Sequence, residues 1–117
     1  MVEAPDSRLP AHVEVTGLIR AVEAAGGFAT VLAKGERDAG TLLVVCCARG
    51  RPAVAYERMP QPDGRRAWCL AKSQSVDNPE EFQEYCDRRK AQDSDLWIVE
   101  LDVPDGERFI DLPGTPG

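Results

Sequence analysis

Apolar residues recur three or four apart at Val15, Leu18, Ile19, Val22 and Ala25, with Arg20 and Glu23 between them. That spacing is one face of an α-helix. Pro10 suits its first turn, where a missing N–H costs nothing. Gly26-Gly27 ends it, because glycine accepts the left-handed cap. The pattern then shortens. Phe28 to Lys34 reads as a strand, and so does Thr41 to Ala48, which is apolar on both faces. Pro52 to Met59 and Arg66 to Lys72 follow as strands, joined by the turn signal Pro60-Gln61-Pro62-Asp63-Gly64. A second helix is expected after the polar linker Ser73–Asp77. Asn78 is its cap, Pro79 its first residue, and Glu81 completes a capping box. Its apolar stripe is Phe82, Tyr85 and Cys86, and Arg88, Arg89 and Lys90 stand at its negative end. Leu96 to Leu101 is a last strand, too apolar for an exposed edge. It should pair inside the sheet, with Phe28–Lys34 as a partner.

The order α-β-β-β-β-α-β predicts an α+β fold: a two-layer sandwich of two helices and about five mainly antiparallel strands. The first four strands read as an antiparallel meander. If both helices cover one face, the other face must still hide part of Leu42–Cys47. A homodimer through that face is the first expectation. The alternative is a cover formed by the C-terminal segment through Phe109, Ile110 and Leu112. The 117 residues fit one domain, expected over 9–112, with flexible tails at 1–8 and 113–117.

Composition narrows the partners. The 43% hydrophobic content is that of a globular chain, and the net charge of −6 disfavours phosphate backbones and anionic membranes. No run approaches the roughly 18 apolar residues of a membrane span. The first residues lack the apolar core of a secretory signal, so a cytoplasmic protein without membrane association is expected. The four cysteines then read as free thiols. Cys46 and Cys47 are adjacent on a strand, so they point to opposite faces.

Candidate chemistry is sparse. Cys46, Cys47, Cys69 and Cys86 lack metal-site spacing, and His12 is the only histidine. No nucleophile elbow, metalloprotease motif or phosphate loop is present. No catalytic residue, metal ligand or cofactor is therefore assigned. Asp93-Ser94-Asp95 at a strand mouth has the oxygen ligands for a divalent cation, but Asp and Ser are also turn formers. The basic meander is more suggestive. Arg49, Arg51, Arg58, Arg65 and Arg66 face only Glu57 and Asp63, near Tyr56 and Trp68. Arginine beside aromatic rings binds anions or stacked bases. Solvated hairpin tips are the plain alternative, and pairing with the acidic C-terminal segment is a third reading.

The stretch Ala24-Ala25-Gly26-Gly27-Phe28-Ala29-Thr30-Val31-Leu32, then Gly35, Asp38-Ala39-Gly40 and Leu42-Leu43-Val44, resembles a bacterial family. So does Asp93-Ser94-Asp95-Leu96-Trp97-Ile98-Val99-Glu100-Leu101-Asp102. The chain is similar to the small proteins grouped as domain of unknown function 1491. The likeness covers roughly 9–112, and the pair Cys46-Cys47 departs from it where aliphatic residues are expected. The resemblance implies a short, stand-alone bacterial cytoplasmic protein, and it supplies no activity, cofactor or catalytic residue to carry over.

Three functional expectations follow. The first is a non-enzymatic interaction or assembly module with a protein partner, in the simplest case a homodimer. The second is a binding domain for an anionic small molecule or nucleic acid, using Arg58, Arg65, Arg66 and Trp68. The third is a carboxylate-dependent enzyme using acids near Asp93, Asp95 and Glu100.

Overall fold

The computed structural model describes residues 9–110. The expected tails 1–8 and 113–117, and the docking of Leu112, lie outside the described residues. Helix α1 (Ala11–Ala24) is followed by β1 (Phe28–Ala33), β2 (Leu42–Cys47), β3 (Val54–Pro60), β4 (Arg66–Ser73), α2 (Glu80–Gln92), β5 (Trp97–Asp102) and a 3-10 turn, Gly106–Phe109. The α+β class, the five strands and the element order are those read from the sequence.

The strands lie in the order β1-β5-β2-β3-β4. β5 runs antiparallel to β1 and parallel to β2, and the other neighbours are antiparallel. The pairing of Leu96–Leu101 with Phe28–Lys34 is thus as expected, but the four-stranded meander is not. β5 inserts between β1 and β2, and only β2-β3-β4 form a meander. Burial explains the order. β2 and β5 are the strands buried on both faces, so they take the centre, while β1 and β4 carry exposed side chains and take the edges.

The layering also differs from a two-layer sandwich. Leu42, Val44 and Cys46 join Trp97, Val99 and Leu101 against Ala11, Val15 and Val22 of α1. Leu43, Val45 and Ile98 join Phe82 and Cys86 of α2 on the other side. One helix covers each face, making three layers. The residues that argued for a dimer through an open face are covered within the chain.

β3 fastens both outer layers. Neighbours on a strand point to opposite faces, and Glu57 and Arg58 use this. Arg89 of α2 donates from Nη1 and Nη2 to the two Glu57 oxygens at 2.7 and 3.0 Å. Arg58 donates from Nη2 to Glu14 Oε1 of α1 at 2.7 Å. Both are charge-assisted bonds at partly buried sites, the stronger kind. A third pair, Lys72 with Glu81 at 3.2 Å, adds to the α2 side.

The helix starts depart from expectation by one residue. Pro10 and Pro79 occupy the cap positions rather than the first helical ones. The Asn78–Glu81 capping box does not form: Glu81 turns to Lys72, and Ser75 Oγ takes the Asp77 and Asn78 N–H groups. For α1 the opening N–H groups of Ala11 and His12 donate to the carbonyls of Asp38 and Arg37 at 3.0 and 2.9 Å. A tertiary contact therefore supplies what a local cap usually supplies.

Leu42 and Leu43 are both fully buried but face different helices. Leu42→Ala and Leu43→Ala should each cost about 2–5 kcal/mol in urea unfolding. A large loss from only one of them would contradict a core on both faces.

Candidate functional site

The β3–β4 register sets Arg58 opposite Trp68 and Pro60 opposite Arg66. Residues two apart share a face, so Arg58, Arg66 and Trp68 all lie on the α1 side. The Arg58 guanidinium sits 5.1 Å from the centre of the Trp68 ring, a cation–π distance. Glu14, Gly17, Leu18, Arg58, Trp68 and Phe109 are among the residues lining a cavity of about 310 Å³ between α1, the 3-10 turn and these strands. Arg66 is not among the lining residues. Arg58 Nε and Arg66 Nη1 are buried, with no hydrogen-bond partner among the described residues. Leaving a buried polar group unpaired costs about 1–3 kcal/mol, more when it is charged.

Gly17 is the other unusual feature of this cavity. Glycine inside a helix costs about 1 kcal/mol relative to alanine, and crowding does not require it here. A Cβ at Gly17 would meet no heavy atom within 4 Å. The space beside the helix is open.

The remaining sequence candidates lie elsewhere. Arg65 is exposed in the hairpin turn, where its N–H donates to Asp63 Oδ1 at 2.9 Å. Arg51 lines a different cavity. The acidic C-terminal segment does not partner these arginines among the described residues: Arg58 pairs with Glu14, and Glu107 accepts from the Tyr56 hydroxyl at 2.9 Å. His12 Nδ1 lies 3.1 Å from the Arg37 carbonyl, which holds it against the loop before β2.

Asp95 acts through its backbone, and its side chain is exposed. A Cβ on Gly35 or Gly40 would overlap the Asp95 carbonyl oxygen. That oxygen accepts from Glu36 N–H at 3.0 Å. The Trp97 indole N–H donates to the Glu36 carbonyl at 2.7 Å, and Lys90 Nζ donates to the carbonyls of Lys34, Ser94 and Leu96. Glu36 also accepts the N–H groups of Asp38 and Ala39, which hold its carboxyl below the usual range. Gly35, Gly40, Asp95 and Trp97 therefore form a packing knot that joins the starts of β2 and β5.

A second cavity, also of about 310 Å³, was not visible in the sequence. It forms at the carboxyl ends of the parallel pair β2 and β5, with Cys46, Cys47, Arg51, Gln74 and Glu107 among its lining residues. Burial, Glu107 and Cys47 push the Cys46 thiol up to about 12. Burial and the Glu100 carboxylate, whose Oε2 is 3.7 Å from Sγ, push Cys47 up to about 12 as well. Burial also raises Cys86. These thiols stay protonated at neutral pH and are poor nucleophiles. Among the described residues, no group of three His, Cys, Asp or Glu is placed to hold a metal ion.

Two outcomes follow from this chemistry. A native thiol that titrates near 12 instead of 9.0 keeps a proton that the unfolded chain releases. The contribution of this thiol to stability should be constant below about pH 9 and be lost toward about pH 12, and Cys46→Ala should shallow that alkaline fall. Native Cys46 should react with iodoacetamide at pH 8 roughly a thousandfold more slowly than the unfolded thiol, in line with its thiolate fraction. Gly17→Ala should raise unfolding stability by about 1 kcal/mol, measured by urea titration.

The family model described as "Protein of unknown function (DUF1491)" matches residues 9–111. The crystal structure of a DUF1491 family protein from Caulobacter crescentus CB15 is similar at 32% identity. It covers 91% of this chain and 98% of that one, with a TM-score of 0.78. The solution structure of a protein from A. tumefaciens is 31% identical over 94% of this chain and 98% of its own, with a TM-score of 0.76. No curated protein matches the chain. With a family model spanning nearly all the described residues and relatives of the same fold above 30% identity, the chain belongs to the DUF1491 family.

Proposed function

We propose that the protein is a non-enzymatic interaction module that docks a partner along the open edge of β1. One observation carries this reading. β1 is an edge strand with no charge and no proline, and Phe28 and Leu32 on it are 71% and 49% exposed. Edge strands are normally blunted by charge, proline, a bulge or a cover. Here only a bulge at Leu32 does so.

The helix placement supports the same surface. α1 packs on β1 and β5, whereas α2 packs toward β4. On the α2 side of the sheet, Phe28 stands exposed opposite Asp102, and Leu32 is half-exposed at the rim of a cavity it shares with Phe82, Gln83 and Glu100. A strand added to this edge would satisfy its free backbone groups. Apolar residues on that strand would cover Phe28 and Leu32, and basic ones would meet the two acids. The protonated thiols favour this reading over nucleophilic catalysis. A second copy is the simplest partner for the apolar part of this surface, because antiparallel β1–β1 pairing is self-complementary about a two-fold axis.

Light scattering on a sizing column should give a dimer for the native chain at low and at moderate salt. Phe28→Lys and Leu32→Lys should give monomers. Phe28→Lys should change unfolding stability by no more than about 0.5 kcal/mol, as expected for an exposed site. Equal masses for the native chain and both variants would remove β1 as an assembly surface.

A further inference from the structure

We propose that the cavity at the carboxyl ends of β2 and β5 binds a free α-amino acid with an apolar side chain, its ammonium held by Asp105 and Glu107 and its carboxylate by Arg51 and Gln74. None of the lining residues is on β1, so the site stands independently of the surface described above.

The strand order assembles groups of both charges at this end of the sheet. Arg51 stands in the segment after β2 and Gln74 just after β4, while Asp105 and Glu107 follow β5. All four line the same cavity of about 310 Å³. Arg51 makes no ion pair among the described residues. Gln74 Oε1 accepts from the Ala53 N–H at 3.1 Å, and its amide N–H groups donate to nothing among the described residues. Glu107 is half-buried, and the Tyr56 hydroxyl donates to one of its oxygens at 2.9 Å. Its other oxygen accepts no bond among the described residues. A carboxylate suits the guanidinium and the amide N–H groups, and an ammonium suits the two acids. A lone cation would meet Arg51, and a lone anion the two acids, at like charge.

The acidic side is held in place by the fold itself. Asp105 has left-handed backbone, φ 54° and ψ 46°, the one positive φ outside glycine among the described residues. Such conformations gather at active sites and ligand clamps. Gly106 beside it packs on the cavity floor, where a Cβ would lie 3.2 Å from Cys46 Sγ. The Val103 N–H donates to the Cys47 carbonyl at 3.2 Å, which ties the segment to the end of β2. Glu107 is close enough to Cys46 to help raise its thiol. Pro52, Val54 and Val103 line the same cavity and offer apolar surface to a side chain. A volume of about 310 Å³ is at the small end of ligand sites, on the scale of a single amino acid.

The test is an NMR titration of the full chain with L-leucine slightly below neutral pH, read at the Gly106 amide. The Trp97 indole N–H is the internal reference, because it is bonded to the Glu36 carbonyl at the other end of the parallel strands. Leucine should shift Gly106 saturably and leave Trp97 in place. N-acetyl-L-leucine lacks the cation and L-leucinamide lacks the anion. Each should bind at least about tenfold more weakly, the effect of losing a charge-assisted contact. Arg51→Gln should weaken leucine by a similar factor and leave leucinamide unchanged. Glu107→Gln keeps an acceptor for the Tyr56 hydroxyl and should weaken both. A general loss of fold does not give that crossed pattern. No saturable shift at Gly106, or native-like leucine binding by either variant, would overturn the site. Either analogue binding as tightly as leucine would overturn the ligand class. Arg51→Gln weakening leucinamide as much as leucine would remove Arg51 from the carboxylate.

Discussion

Six consecutive residues, Leu42 to Cys47, point alternately into two separate cores. A strand of that kind must be covered on both faces and flanked on both edges. Most of the architecture answers this one constraint. β5 and β3 flank β2, and α1 and α2 cover its two faces. Two helices on one face would have left Leu43, Val45 and Ile98 in water. Each such side chain is worth about 1.5–3 kcal/mol of burial.

The helices are not stacked directly across from each other. α1 leans over β1 and β5, while α2 leans toward β4. Two opposite corners of the sheet are left bare as a result. Phe28 and Leu32 stand on the α2 side of β1, and Leu70, opposite Tyr56, stands on the α1 side of β4. Glu57 and Arg58 fix the lean, because each ties one helix to the same point of β3 from opposite sides. Arg58 thus belongs to the fold and to the cavity at once.

Two of the segments that carry the resemblance to the family meet in one packing knot. Gly35 and Gly40 are needed because the Asp95 backbone passes where a Cβ would be, and Trp97 closes over the same turn. The result is a rigid start for the parallel strands. The opposite end of those strands carries the Cys46–Cys47 cavity, whose thiols burial and neighbouring carboxylates hold in the protonated state.

Local periodicity and turn residues determined the element order, the number of strands, and the buried character of β2 and β5. The reason is that alternation, helical spacing and glycine or proline punctuation act within a few residues. The grouping of Arg58, Arg66 and Trp68 was partly legible for the same reason, because they flank one hairpin. Arg65 and Asp95 did not join them: an odd step along β4 and a distant turn separate them from that face. What only the tertiary structure decided was the insertion of β5 between β1 and β2, the assignment of one helix to each face, and the turn of Glu81 to Lys72 in place of the Asn78 capping box. These depend on which apolar surfaces can be buried together. That is a competition among elements far apart in the chain, and no local pattern records its outcome.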